Sequence, residues 1–499
     1  MSLTIGIDIG TTGTKTVLLD VARGIVAQAS RDTTLFSPGP GFAEADTAQW
    51  LTNVVDSIRE IRSVAGVGPG DVDAIAVSGM VPAVVPVDGG GNALRRAILQ
   101  NDARAHHEIG QLATALADVD LVSLTGSTLS QQSVAPTVLW LARHEPAAYS
   151  QTKHLVGSYD WMLSALGADI HVERNWALES GLFTIDGEQA DVVLKAANLD
   201  AGLLPPVRNP GTQAGALSPE AAEWTGLQAG TALIVGGADH VLSAYAAGVN
   251  HPGDGLVKLG GAGDILVASD VQVTDERLYL DAHPVPGRWL PNGCMATSGS
   301  LIRWFQAVIG GEDLAVLDAE AAQRAPAEVL CLPYFLGEKT PLHDPDLRGV
   351  FAGMHLGHTR ADLYRSVLEA IAFGFRHHVD VFADISIPLT RTMITNGGSK
   401  STLWKQIHAD VLGIEVHPVI GHPGASLGAA IIAAIGAGAL DDWADASRFV
   451  TLGPPVAPDP QRKQVYDDAY ARWRELGDVT TAVSHAIARS GRGESVTTS

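Results

Sequence analysis

The run Asp8-Ile9-Gly10-Thr11-Thr12-Gly13-Thr14-Lys15 puts a carboxylate, three hydroxyls, two glycines and an ammonium into one short turn. The apolar runs LTIGIDIG and KTVLLDV flank it, so the turn joins two strands. Backbone N–H groups, threonine hydroxyls and one cation gathered this way have the chemistry of an anion cradle. Gly10 and Gly13 let a phosphate approach the backbone closely. Asp8, at the end of an apolar strand, is placed to hold Mg²⁺ directly or through water. The same residue types also suit a plain hairpin turn with Asp8 as a cap.

Two further glycine clusters repeat the theme. Leu259-Gly260-Gly261-Ala262-Gly263-Asp264 follows the strand-like run GLVK, and two such cradles facing one another would hold both ends of a triphosphate. Thr395-Asn396-Gly397-Gly398-Ser399-Lys400 lies between the apolar run RTMIT and a helix beginning at Ser401, a strand, glycine turn and helix N-terminus suited to a nucleotide. With 54 glycines in the chain, any one cluster is equally compatible with a structural turn.

These turns need elements to position them. The first ninety residues read as strand, turn, strand, turn, strand, then helical periodicity over 47–64 and β runs at 73–78 and 83–87. Residues 231–249 read as strand, glycine turn and a helix of small residues. A second set of β runs opens near Gly255, with helices predicted over 300–308, 359–382, 401–412 and 426–435. The uncharged stretch from His417 to Leu440 is interrupted by His422, Pro423 and glycines, which fits a buried helix from Ser426 to about Ala439 better than a membrane span.

The chain of 499 residues exceeds one ordinary core of about 100 to 200 residues. It divides into two α/β domains, 1–250 and 251–488, with a polar tail over 489–499 that is expected to fray. Net charge −22 repels phosphate backbones and anionic lipid, so nucleic acid and membranes are excluded as partners. Two cysteines, Cys294 and Cys331, cannot form a disulfide framework, and no signal peptide opens the chain, which points to the cytoplasm. The histidines show no zinc-ligand spacing.

Taken together the pieces resemble the FGGY family of carbohydrate kinases, within the sugar kinase, heat-shock protein and actin superfamily. The firmest part is the family's second signature, matched by Gly349-Val350-Phe351-Ala352-Gly353-Met354, seven residues, Asp362-Leu363 and Ser366-Val367-Leu368-Glu369. The resemblance implies two actin-like, ribonuclease H-like α/β domains flanking a central cleft for ATP and sugar. It implies roles residue by residue: Asp8 for the magnesium, Thr11, Thr12 and Lys15 in the first phosphate hairpin, and Gly260 and Gly261 in the second. Gly397, Gly398 and Ser399 fall in the loop contacting adenosine. Asp239, in GGADH, corresponds to the aspartate that accepts the proton of the sugar hydroxyl. Chemistry asks for that type of residue, since phosphoryl transfer needs positioned reactants, offset charge and a carboxylate near the acceptor. An N-cap role for Asp239 is compatible with it.

Departures bear on the sugar. Where pentulose kinases of the family carry Gly-Gln-Met-His-Gly, this chain has Gly79-Met80-Val81-Pro82-Ala83, so Val81 and Pro82 make an apolar wall in place of a histidine donor. A wall without that donor should discriminate less against a sugar lacking the hydroxyl. Asp102 and Arg104, in Asn101-Asp102-Ala103-Arg104, are candidate sugar contacts or a surface ion pair, and Trp176 is either a sugar-stacking face or core. Glu44 and Asp46 match an early acidic pair, Asp46 as a cap. Thr137 replaces a lysine of the first signature and Gly261 a threonine of the second hairpin. The reading is ATP-dependent phosphorylation of a small ketose or polyol, a pentulose such as xylulose or a deoxy analogue first, with a homodimer as a family-level expectation. The alternative is a weakly catalytic sugar or nucleotide sensor of the same fold.

Overall fold

The computed structural model describes residues 2–491. Two six-stranded mixed sheets organise them. In the first, β1 (Leu3–Ile9), β2 (Gly13–Asp20) and β3 (Gly24–Asp32) form an antiparallel meander. On the other side of β1 lie β4 (Val72–Gly79) and β6 (Ala232–Ala238), both parallel to it, with β5 (Gln213–Ala216) antiparallel at the edge. The second sheet repeats this around β7 (Asp254–Leu259) and β8 (Gly263–Val267), with β9 (Tyr279–Ala282) and β10 (Trp289–Met295) on the antiparallel side. Its parallel side is β11 (Arg391–Thr395) and β12 (Val416–Pro418). The expected α/β class and the two glycine-tipped hairpins therefore recur at equivalent places in two sheets.

Around the first sheet lie α1 (Thr47–Ala65), α2 (Ser158–Leu166), α3 (Arg174–Ser180) and α4 (Asp239–Ala246). Helix α1 starts where Asp46 accepts the N–H of Ala48 at 2.9 Å, the cap read from the sequence. The second sheet is served by α5 (Gly299–Val308), α6 (Arg360–Asp384) and α7 (Thr402–Leu412). Then α8 (Ala425–Gly436) leaves the second sheet and packs under β1, β4 and β6 of the first. Helix α9 (Lys463–Gly491) closes the second core; Arg489 and Ser490, expected in a frayed tail, continue this helix, and 492–499 lie outside the described residues.

Helix α8 is apolar all round, so it is stable only when enclosed; Ala425 to Ala434 are all buried. Along β1, Leu3, Ile5, Ile7 and Ile9 share one face and Thr4 and Gly6 the other. On that second face Thr4 Oγ1 donates to Ala430 O at 2.8 Å, and a Cβ on Gly6 would stand 2.0 Å from Ser426 O. Backbone meets backbone there. The first core therefore joins residues 425–446 to the chain up to Val249. Among the described residues no helix is long and apolar enough to cross a membrane.

The second core centres on α6. Asp362 closes a capping box with Thr359, and Glu369 forms a buried 2.8 Å pair with Arg365 that Tyr466 joins at 3.0 Å. The charged signature residues thus fix the start and first turns of this helix.

Candidate active site

Each hairpin carries a cross-strand pair of opposite charges just before its turn. Asp8 stands opposite Lys15, and Lys258 stands opposite Asp264. The first turn closes on Gly10 N donating to Gly13 O at 3.0 Å. The second is tied to the start of α5: Gly261 O accepts from Ser298 N and Ser300 Oγ, both at 2.8 Å, and Gly260 O accepts from Gly299 N at 2.8 Å. A Cβ on Gly299 would lie 2.6 Å from Gly260 O, so this seat requires glycine. In the third cluster Gly398 lies flat on Trp404 and Leu259, and Ser399 Oγ donates to Asn396 O at 2.7 Å. Gly397 is exposed beside it.

Asp8 Oδ1 is sealed from solvent and has no hydrogen-bond partner. Burial, and then the charge of Asp239, push its carboxyl up to about 7 against the pull of Lys15 and Lys258. Four charged groups from the β1–β2 hairpin, α4 and β7 thus act on one another. A divalent cation fits this set, because it would satisfy the orphaned oxygen and relieve the repulsion between two carboxylates.

Asp239 is the first residue of α4, with its side chain 34% exposed. Ala238 holds the cap position without a side-chain bond, and Asp239 Oδ1 accepts the N–H of its neighbour His240 at 2.7 Å. Burial raises its pKa, but the His240 bond and the Lys258 ammonium outweigh burial and hold it below the usual carboxylate range. These partners favour its ionised form. The ring of His240 reaches Asp239 Oδ1 through Nδ1 at 3.4 Å and Asp281 Oδ2 through Nε2 at 2.7 Å. Burial disfavours the charged ring, yet Asp281, Asp239 and Glu179 push its pKa well above the ordinary value, so it is an imidazolium. Asn292 Nδ2 donates to the same Asp281 oxygen at 2.7 Å. Asp281 and Asn292 belong to β9 and β10, so His240 ties the helix bearing Asp239 to the second sheet.

Ligand atoms of Glu179, His240 and Asp281 lie within 4.8 Å of one another, a set with the composition of a metal site. The 2.7 Å contact between His240 and Asp281 is itself a charge-assisted hydrogen bond. Behind it, Asn175 exchanges bonds with Ala282 at 2.7 and 3.0 Å, and Glu173 accepts from Tyr159 at 2.9 Å. Burial pushes Glu173 up to about 7.

The acceptor-side expectations fare unevenly. Trp176 is fully buried with Nε1 donating to Ala83 O at 2.8 Å, so it is core and offers no stacking face. Asp102 and Arg104 form no surface pair: they are buried with Glu44, both Asp102 oxygens engaged by Arg104 and Ala43, and the guanidinium lies over Phe42 and Trp140. Val81 keeps 4% of its surface and Pro82 is buried. Thr137 is buried on the helix Val134–His144. The residues not anticipated are His240, Glu179, Asp281 and Lys258. For Lys258 the signal was a lone charge inside the apolar strand GLVKL; for the others only the fold supplies it.

Two mixed sheets that share a five-strand order, each with a glycine hairpin on its central strands, belong with a phosphotransferase of the actin-like ATPase fold. Residues 3–246 match the N-terminal domain of the FGGY family of carbohydrate kinases and residues 269–437 match its C-terminal domain, and the chain belongs to that family. The crystal structure of xylulose kinase from Rhodospirillum rubrum is similar with a TM-score of 0.90 at 41% identity, covering 97% of this chain and 100% of that one. Xylulose kinase from Bacillus subtilis is 26% identical over 494 residues, 98% of this chain and 99% of the relative. Autoinducer-2 kinase from Klebsiella pneumoniae is 28% identical over 509 residues, 95% and 94% of the two chains. The chain is thus a sugar kinase that uses ATP with a divalent metal.

Proposed function

We propose that this kinase phosphorylates a pentulose such as xylulose, or an analogue lacking a hydroxyl near C1, with Asp239 as the general base. The observation that carries the reading is Asp239 itself. It is an ionised carboxylate at a helix start, open to the cleft, beside Asp8 and Lys258 and held from the opposite sheet through His240. As the sugar oxygen attacks the terminal phosphorus, its proton passes to Asp239 while ADP departs. Asp8 would hold the divalent cation, which we take to be Mg²⁺ and which offsets charge on the phosphate oxygens. Thr11, Thr12, Lys15, Gly260 and Gly261 cradle the phosphates, and Gly397, Gly398 and Ser399 face the adenosine. The apolar wall of Val81 and Pro82 supports a reduced demand for a hydroxyl at that end of the sugar. We place the activity in the cytoplasm, a reading the free thiols of Cys294 and Cys331 support.

The test is ADP release with Mg-ATP across ketoses and polyols, xylulose and 1-deoxyxylulose among them. Asp239→Asn should lower turnover by about 10²- to 10⁴-fold. A strong preference for the fully hydroxylated sugar would refute the wall argument. Sugar binding without turnover on any member of the panel would replace the pentulose-kinase reading with that of a sensor.

A further inference from the structure

Lys258 occupies in the second hairpin the place Asp8 occupies in the first, two residues ahead of the leading glycine on the central strand of its sheet. The charges are inverted: carboxylate before the turn and ammonium after it in the first hairpin, ammonium before and carboxylate after it in the second. The positive group of the second sheet and the negative group of the first act on one another.

Three observations give that inversion chemical content. The Lys258 side chain is 24% exposed, and Nζ lies 3.2 Å from Asp264 Oδ2, a single ion pair that leaves further donors of the ammonium available. Its charge acts on both Asp8 and Asp239, the carboxylates proposed above to hold the metal and to take the proton. The tip of its hairpin, Gly261-Ala262, carries no hydroxyl, whereas the tip of the first carries Thr11 and Thr12. The second hairpin has lost side-chain donors at its tip and holds a cation at its base.

We propose that Lys258 is a catalytic residue whose ammonium hydrogen-bonds the equatorial oxygens of the transferring phosphoryl group. This rests on the phosphoryl-transfer reading above. The residue forms no covalent bond and gives up no proton; it offsets charge that spreads over those oxygens as the bond to the leaving diphosphate breaks and that to the acceptor oxygen forms. The neighbouring carboxylates raise the pKa of the ammonium above its ordinary value although burial works against them, so it stays charged throughout.

The experiment compares Lys258→Met, Lys258→Gln and Asp264→Asn with the unaltered protein. ADP release with the best sugar gives kcat, calorimetry gives affinities for ADP and for a non-hydrolysable ATP analogue, and thermal melting verifies folding. Loss of Lys258 should lower kcat by about 10²- to 10³-fold and weaken the triphosphate analogue relative to ADP by roughly tenfold or more. Asp264→Asn, which removes the ion pair and keeps the cation, should cost far less in both. Lys258→Gln gives the same readings if Lys258→Met does not fold. Equal losses in Asp264→Asn and the Lys258 variants would show that the ion pair alone matters and would overturn the proposal. An undiminished preference for the triphosphate would overturn it too. If the unaltered protein turns over no sugar, the kinase reading fails separately, and the nucleotide affinities still decide the role of Lys258.

Discussion

Helix α8 is pressed between β1 and α4, and Gly428 is the point where it touches the helix that carries Asp239. A Cβ at 428 would stand 2.3 Å from Leu242 O and 2.9 Å from Leu242 C, where ordinary contact begins near 3.4 Å. Gly428→Ala therefore demands a separation of about 1 Å. The helix cannot yield toward β1, because its opposite side meets Gly6 at distances that already exclude a Cβ. The displacement falls on α4, and Leu242 is less than one turn from Asp239. Overpacking of this kind costs about 1–3 kcal/mol, or about 2–4 °C of melting temperature per kcal/mol for a domain of this size. A catalytic group moved by about 1 Å loses on the order of 10²-fold in rate. Coupled ADP release and differential scanning calorimetry read both quantities, and nucleotide affinity should change little, since α4 bears no phosphate hairpin. A lowered melting temperature with unaltered kcat would refute the transmission to Asp239. If both were unaltered, the close approach itself would be wrong.

Other outcomes follow from the charges. Asp8 and Glu173 are raised to about 7 and Glu338 to about 8, above their unfolded values. Between about pH 4 and 8 the folded form therefore binds more protons than the unfolded one, so these groups make the unliganded protein less stable as pH rises. Melting temperatures should fall across that window, less steeply in Asp8→Asn, which should melt above the unaltered protein at pH 8 while losing turnover. His240→Ala leaves Asp281 buried without its cation and should cost about 3–5 kcal/mol by chemical denaturation, with kcat lowered as well. Glu369→Ala strips a buried partner from Arg365 and should cost a similar amount, about 3–5 kcal/mol, yet leave turnover per folded molecule intact, as single-turnover assays on purified protein would reveal.

What could be read from the chain was whatever lies within a few residues. Asp8 and Lys15 belong to one hairpin, so alternation and two glycines suffice to set them opposite each other. The cap at Asp46 and the helices 47–65, 299–308 and 425–436 follow from equally local patterns. The acceptor side is assembled from distant pieces. His240 finds Asp281 only because an edge strand of the second sheet reaches α4, and Arg104 is buried only because Glu44, Phe42 and Trp140 close over it. Trp176 looked equally fit for a sugar or a core until the carbonyl of Ala83 supplied its partner. Helix α8 could be recognised as buried, but not under which sheet, since an all-apolar surface has no preferred neighbour.

The return of residues 425–436 to the first sheet constrains how the protein can be made. While the ribosome is still translating the second half, the Thr4 and Gly6 face of β1 lacks its covering helix, and only after residue 436 has emerged can that face be sealed. A polypeptide stopped at 250 would be an unfinished sandwich prone to self-association, whereas adding the 425–436 segment in trans supplies its missing floor.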